Sequence, residues 1–220
     1  MTNVPASYTR LKEKQRSTRA AFSEALALRT HRALSWLGRA EQESSDVDAR
    51  FVLLWISFNS AYACKIDASS SSERGAFNLY FQTLVDLDKR RRIYDAVWSR
   101  FPKEIDQLLA NKYVFAPFWH HHNGVEGYQD WNERLLSSNR VSVRALKALD
   151  TAKTLSIVFD RLYVLRNQLV HGGATWNSST NRAQVRDGAA VLGWLMPLFI
   201  DVMMDNPNRD WGRPFYPVVS

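Results

Sequence analysis

Apolar residues recur along this chain at spacings of three and four, the period of helices that bury one face. The clearest run is Leu155, Val158, Leu162, Leu165 and Leu169, a single packed stripe. At about 100° per residue, Asp160, Val164, Asn167 and His171 share the opposite side, with Tyr163 beside them and Arg166 between the two faces. Gly172 and Gly173 follow at once. Glycine enters the left-handed region without a Cβ clash, so the pair predicts the helix stop and places His171 in the last turn.

The same period predicts helices elsewhere. A first helix is expected near Thr18 to Glu43, with Phe22, Leu26, Ala33, Leu34 and Leu37 on its apolar side. A second begins at the N-cap residue Asp46 and carries Val47, Phe51, Leu54, Phe58 and Ala61 on one stripe, with Val52, Leu53, Trp55 and Ile56 around them. Apolar residues on nearly all sides predict a central position. Ser57, Asn59 and Ser60 are its polar exceptions, either supporting a site on a neighbouring helix or bonding backbone carbonyls. After a serine-rich loop between Lys65 and Glu73, residues 73–112 read as two or three shorter helices broken near Phe101 and Pro102.

The stretch 112–131 interrupts this order with Tyr113, Phe115, Phe118, Trp119, Tyr128 and Trp131 around His120, His121 and His122. Helical periodicity resumes from Asp130 to Ala148 and leads into the Leu155–Leu169 helix. A last helix is expected from about Arg182 to Met204, kinked at Pro197. Residues 205–220 form an extended tail laid over the body through Trp211, Phe215 and Tyr216. The prediction is one all-α domain over residues 1–220: a helical bundle with additional helices and an aromatic insertion.

Composition adds a partner class. The chain has 220 residues, 45% hydrophobic and 23% charged, as a soluble globular domain has. Its formal charge is +7 and 21 of its 29 basic side chains are arginine, which favours an anionic partner and bidentate phosphate contacts. The densest run, Lys89, Arg90, Arg91 and Arg92, is either a solvated helix face or a set of contacts to a nucleic-acid backbone. The single cysteine, Cys64, excludes an internal disulfide and is expected in the core.

No apolar stretch follows the basic N-terminus, so no secretory signal is expected and the protein is placed in the cytoplasm. The run from Ala189 to Met204 is too short for a span of about 20 apolar residues, so no membrane partner is expected. The three histidines have only Glu126 and Asp130 as nearby carboxylates and no nearby cysteine, a spacing that matches no strong zinc signature. No metal or other cofactor is therefore expected. The aromatic insertion either packs over the helices or stacks on unpaired bases. No glycine-rich phosphate loop or Ser-His-Asp arrangement stands out.

Arg166 and His171 carry the candidate chemistry. A guanidinium can clamp a phosphate, while an imidazole moves a proton near neutral pH. An arginine, an adjacent polar residue and a histidine near the end of a late helix, here Arg166, Asn167 and His171, resemble the motif of the HEPN superfamily. That resemblance implies a metal-independent endoribonuclease, commonly the toxin or effector of a bacterial defence or toxin–antitoxin system, acting as a homodimer with both motifs lining one cleft.

By the same resemblance His171 serves as acid or base, Arg166 holds the charged phosphorane and Asn167 orients the phosphate or the imidazole. The products are a 2′,3′-cyclic phosphate and a 5′-OH. An antitoxin or regulatory protein is the implied partner. Gly173 stands where some family toxins carry a tyrosine modified by their partner, which counts against that mode of control. The alternative is a catalytically silent RNA-binding or dimerisation module.

A homodimer also follows from helical geometry. Five positions on one helix turn Arg166 and His171 about 140° apart, which a second copy beside the helix end would overcome. Asp160, Tyr163 and Val164 are the expected interface; the alternative is that Tyr163 and Val164 fill space against another helix of the same chain.

Overall fold

The computed structural model describes residues 5–62 and 73–214 together with 216 and 218, without the side chains of 73–76. Cys64, the serine-rich stretch after Lys65 and Phe215 lie outside the described residues. Within them the fold is all-α: α1 (Tyr8–Thr18), α2 (Glu24–Gln42), α3 (Val47–Tyr62), α4 (Glu73–Leu87), α5 (Arg92–Asp95), α6 (Pro102–Ala110), α7 (Ala116–His122), α8 (Trp131–Lys147), α9 (Thr151–Val170) and α10 (Arg182–Asp205). A π-type turn, Ala96–Arg100, extends α5 towards α6, and a 3₁₀ turn, Lys112–Val114, leads into α7.

The helix expected from Thr18 to Glu43 starts later, at Glu24, and a separate helix that the sequence reading did not place precedes it. Residues 8–18 form α1, a 3₁₀ turn follows, and α2 starts where Ser23 caps it by accepting the Leu26 N–H at 3.2 Å. Gly38 lets α1 dock, because a Cβ there would sit 2.9 Å from the Tyr8 ring. Asp46 caps α3 as the sequence predicts, accepting the Ala49 N–H at 3.0 Å.

Helix α3 lies between α2 and α10, and α9 runs antiparallel beside it. Phe58 is the centre of the core, with Trp55, Tyr62, Phe77, Tyr80, Phe81 and Phe159 all packed around its ring. Ser57 and Ser60 bond the carbonyls of Ala33 and Ile56, so both hydroxyls serve the backbone. Helix α10 passes close to α3 and α9 because residue 188 is glycine: a Cβ would meet Phe51 at 2.8 Å and Leu162 at 2.9 Å.

Two readings of α10 and the tail change. The helix continues through Pro197 to a length of 24 residues, so length does not exclude it as a span; 78% of its most apolar window is instead buried inside the fold. In the tail, Trp211 packs on the core and donates to the Asn206 carbonyl, while the Tyr216 ring is 73% exposed. Two arginines of α2 hold the tail: buried Arg29 donates to the carbonyls of Ala61, Gly212 and Arg213, and Arg32 donates to the Tyr216 carbonyl at 2.6 Å.

The aromatic insertion makes a second small core. Phe115, Phe118 and Leu135 are buried there, with Trp119 and Trp131 against them.

Candidate active site at the end of α9

Helix α9 starts at Asp150, whose carboxylate accepts the Lys153 N–H at 2.9 Å. Of the predicted stripe, Leu155, Val158, Leu162 and Leu165 are fully buried and Leu169 is partly buried. Burial does not stop there, because α3, α4, α6 and α8 all pack on this helix. Val164, expected on an open contact face, is only 9% exposed within the single chain. Its apolar side chain is accounted for by packing inside the protein, which removes it from a dimer interface. Tyr163 is half-buried with its ring centroid 6.1 Å from that of Trp55, and Asp160 is half-buried too.

Arg166 sits over these rings, with Cζ 5.3 Å from the Tyr163 centroid and 6.0 Å from that of Trp55. Its Nη1 donates to Asn167 Oδ1 at 2.8 Å. Among the described residues no carboxylate pairs with Arg166. The half-buried guanidinium therefore keeps N–H groups for an incoming anion.

His171 is exposed and lies one residue beyond the helix, its N–H still bonded to the Asn167 carbonyl at 3.0 Å. Its backbone, at φ −96° and ψ 14°, has left helical geometry, so a helical wheel no longer fixes where its imidazole points. Gly172 follows at φ +72°, and the chain folds back until the Ala174 N–H reaches the Gln168 carbonyl at 3.1 Å.

The loop after His171 is clasped by the first turn of α3. Trp176 donates to Asp46, the Asn177 N–H donates to Asp48 at 2.8 Å, and Arg182 pairs with the other Asp48 oxygen. The Asp46 carboxyl is held below its usual range by the Ala49 N–H and the Trp176 indole. Sequence reading placed Asp46 as a cap and 174–181 as a plain polar loop. Neither local pattern signals the contact between them.

The basic run divides. Lys89, Arg90 and Arg91 are exposed, Arg91 in the left-handed region with its guanidinium 4.1 Å from the Tyr94 ring. Arg92 is not available to RNA: it turns inward and pairs with Asp88 and with Asp201 of α10. It belongs to a network in which Lys14 of α1 bonds Asp201 and Asp205.

The His121 and His122 rings lie 5.1 Å apart, but each outer histidine is engaged with another ring. His122 stacks on Phe118 at 4.0 Å and His120 lies against Tyr128 at 4.5 Å. Among the described residues no three His, Cys, Asp or Glu side chains are grouped to share a metal ion. Tyr113, by contrast, reaches the candidate site. Its carbonyl accepts from Gln168 of α9 at 2.6 Å and from the Trp119 indole at 2.7 Å.

No protein-family model matches the sequence, and no curated protein or solved structure matches it either.

Proposed function

We propose that the chain is a HEPN-type, metal-independent endoribonuclease with its site at the end of α9. The supporting observation is Arg166: a half-buried guanidinium over two aromatic rings, without a carboxylate partner among the described residues, one short turn from an exposed histidine. Such a cation gains most from a phosphate, because low local polarity strengthens the pairing.

His171 takes the proton from the ribose 2′-OH or returns one to the leaving 5′ oxygen, and Arg166 stabilises the phosphorane between those steps. The 2′ oxygen bonds to phosphorus as the P–O5′ bond breaks, leaving a 2′,3′-cyclic phosphate and a 5′-OH. Asn167 fixes the guanidinium through its side-chain oxygen, a more specific task than the sequence assigned it.

The reading extends to a toxin or effector of bacterial defence, cytoplasmic, with an antitoxin or regulatory protein as partner. It also includes a homodimer, now drawn around half-buried Asn167 and exposed His171 and not around Val164. Light scattering at micromolar concentration should give twice the 25.3 kDa chain mass.

One observation favours a silent module instead: the Arg166–Asn167 bond satisfies part of the guanidinium within its own helix. Cleavage decides between the two. Single-stranded RNA incubated in EDTA should be cut, and His171→Ala or Arg166→Ala should slow cutting by about a hundredfold or more. Equal cutting by wild type and His171→Ala overturns the enzyme; folded wild type that binds RNA without cutting it leaves the silent module.

A further inference from the structure

The aromatic insertion is distant from α9 in sequence and adjacent to it in space. Gln168, three residues before His171, bonds the Tyr113 carbonyl at 2.6 Å, and the Trp119 indole bonds the same oxygen at 2.7 Å. Two elements thus pin the backbone of one residue next to the last turn of α9. Five rings of the insertion are turned to packing: Phe115 and Phe118 are buried, Trp119 and Trp131 pack on them, and Tyr128 meets His120.

Tyr113 differs from these. The residue is 50% exposed, and its ring is braced by Phe118 at 5.4 Å in an edge-to-face arrangement of 81°. The Lys112 ammonium lies 5.1 Å from the Tyr113 centroid and 5.7 Å from that of Phe118. Among the described residues no carboxylate pairs with Lys112. A fixed, half-open ring beside an unpaired cation has the two features a nucleotide requires: a π-face for the base and a charge for its phosphate.

We infer that Tyr113 and Lys112 form a base-stacking subsite for an unpaired nucleotide flanking the phosphate held at Arg166 and His171. A base within a duplex has both faces covered by its neighbours, so this subsite selects single-stranded RNA. The inference takes the identity of the strand from the ribonuclease reading, but its binding step needs no cleavage.

The test uses the full chain carrying His171→Ala, so that the probe survives, and a ten-residue oligouridylate titrated by anisotropy. Tyr113→Ala should weaken binding about tenfold and Tyr113→Phe should leave it unchanged, the range expected for losing one stacked base. Lys112→Gln should flatten the salt dependence. The ring change leaves the Tyr113 carbonyl in place, and equal melting temperatures confirm that the fold is kept.

Oligouridylate binding unaffected by Tyr113→Ala overturns the subsite, as does an equal loss of affinity for a duplex of the same length. Tyr113-dependent binding in a wild-type chain that never cuts RNA supports the subsite while the nuclease reading falls. Cutting by His171-intact protein that is indifferent to Tyr113→Ala at low substrate does the reverse.

Discussion

Asp48 and Arg182, 134 positions apart, form an ion pair that ties the start of α10 to the first turn of α3. The same carboxylate accepts the Asn177 N–H, so one buried side chain holds the middle and the far end of the loop that follows His171. Asp48 is in this sense a positioning residue for the candidate site.

Replacing it tests that role. Asp48→Asn should cost about 1–3 kcal/mol, because it leaves the Arg182 guanidinium partly buried beside a neutral partner. RNA cutting should fall through a lower kcat with KM little changed, and Asp48→Asn combined with Arg182→Gln should recover part of the stability. Thermal melts with steady-state kinetics check this; unchanged kcat with lowered melting temperature confines Asp48 to a structural role.

The basic run should separate by function. Changing Lys89, Arg90 and Arg91 to glutamine should leave the melting temperature within about a degree, since exposed charges contribute little to stability. If these residues contact phosphates, RNA affinity falls and its salt dependence flattens. Arg92→Gln should do the opposite, lowering stability by about 2–3 kcal/mol through the loss of its bonds to Asp88 and Asp201. A stability loss from the first three changes would contradict the division.

Gly188→Ala should destabilise the fold by about 1–3 kcal/mol, although alanine is the better helix former. The added methyl would press on Phe51 and Leu162, both fully buried and unable to move aside. Denaturant unfolding measures the cost, and a stabilised variant would show that α10 shifts freely.

Asp201 gives a pH signature. Burial raises its carboxyl, but hydrogen bonds from Lys14 and Arg92 outweigh that and hold it below the ordinary value of 3.8. A lowered folded-state pKa contributes stability that is present above 3.8 and lost as the pH falls through the folded value. Asp201→Asn should therefore be less stable than wild type at neutral pH, and the two melting curves should converge as the pH is taken below 3.8. A constant gap down to pH 2 would mean that the charge of Asp201 is not what matters.

The all-α class, the cap at Asp46, the stripe of α9 and its stop at Gly172 all follow from the sequence, because each is set within a turn or two of chain. Periodicity fixes which way a side chain leaves its helix, and glycine or a capping carboxylate fixes where the helix ends. The Ser23 cap that moves the start of the expected helix from Thr18 to Glu24 was equally local, and a serine followed by glutamate is its readable signal.

What lies across from a side chain is not local, and only the tertiary structure decided it. Val164 shares its helical face with Asp160, Asn167 and His171, yet other helices pack on α9 and bury Val164 while His171 stays exposed. Arg92 stands in an exposed-looking basic run, but Asp201, 109 positions away, draws it inward. Gln168 meets Tyr113 across 55 positions and Asp48 meets Arg182 across 134, contacts with no trace in either segment's own pattern. The sequence by itself set most of the helices and named the residues that could carry chemistry; packing chose which of those residues stay exposed, because burial depends on the neighbours a helix acquires and not on its own period.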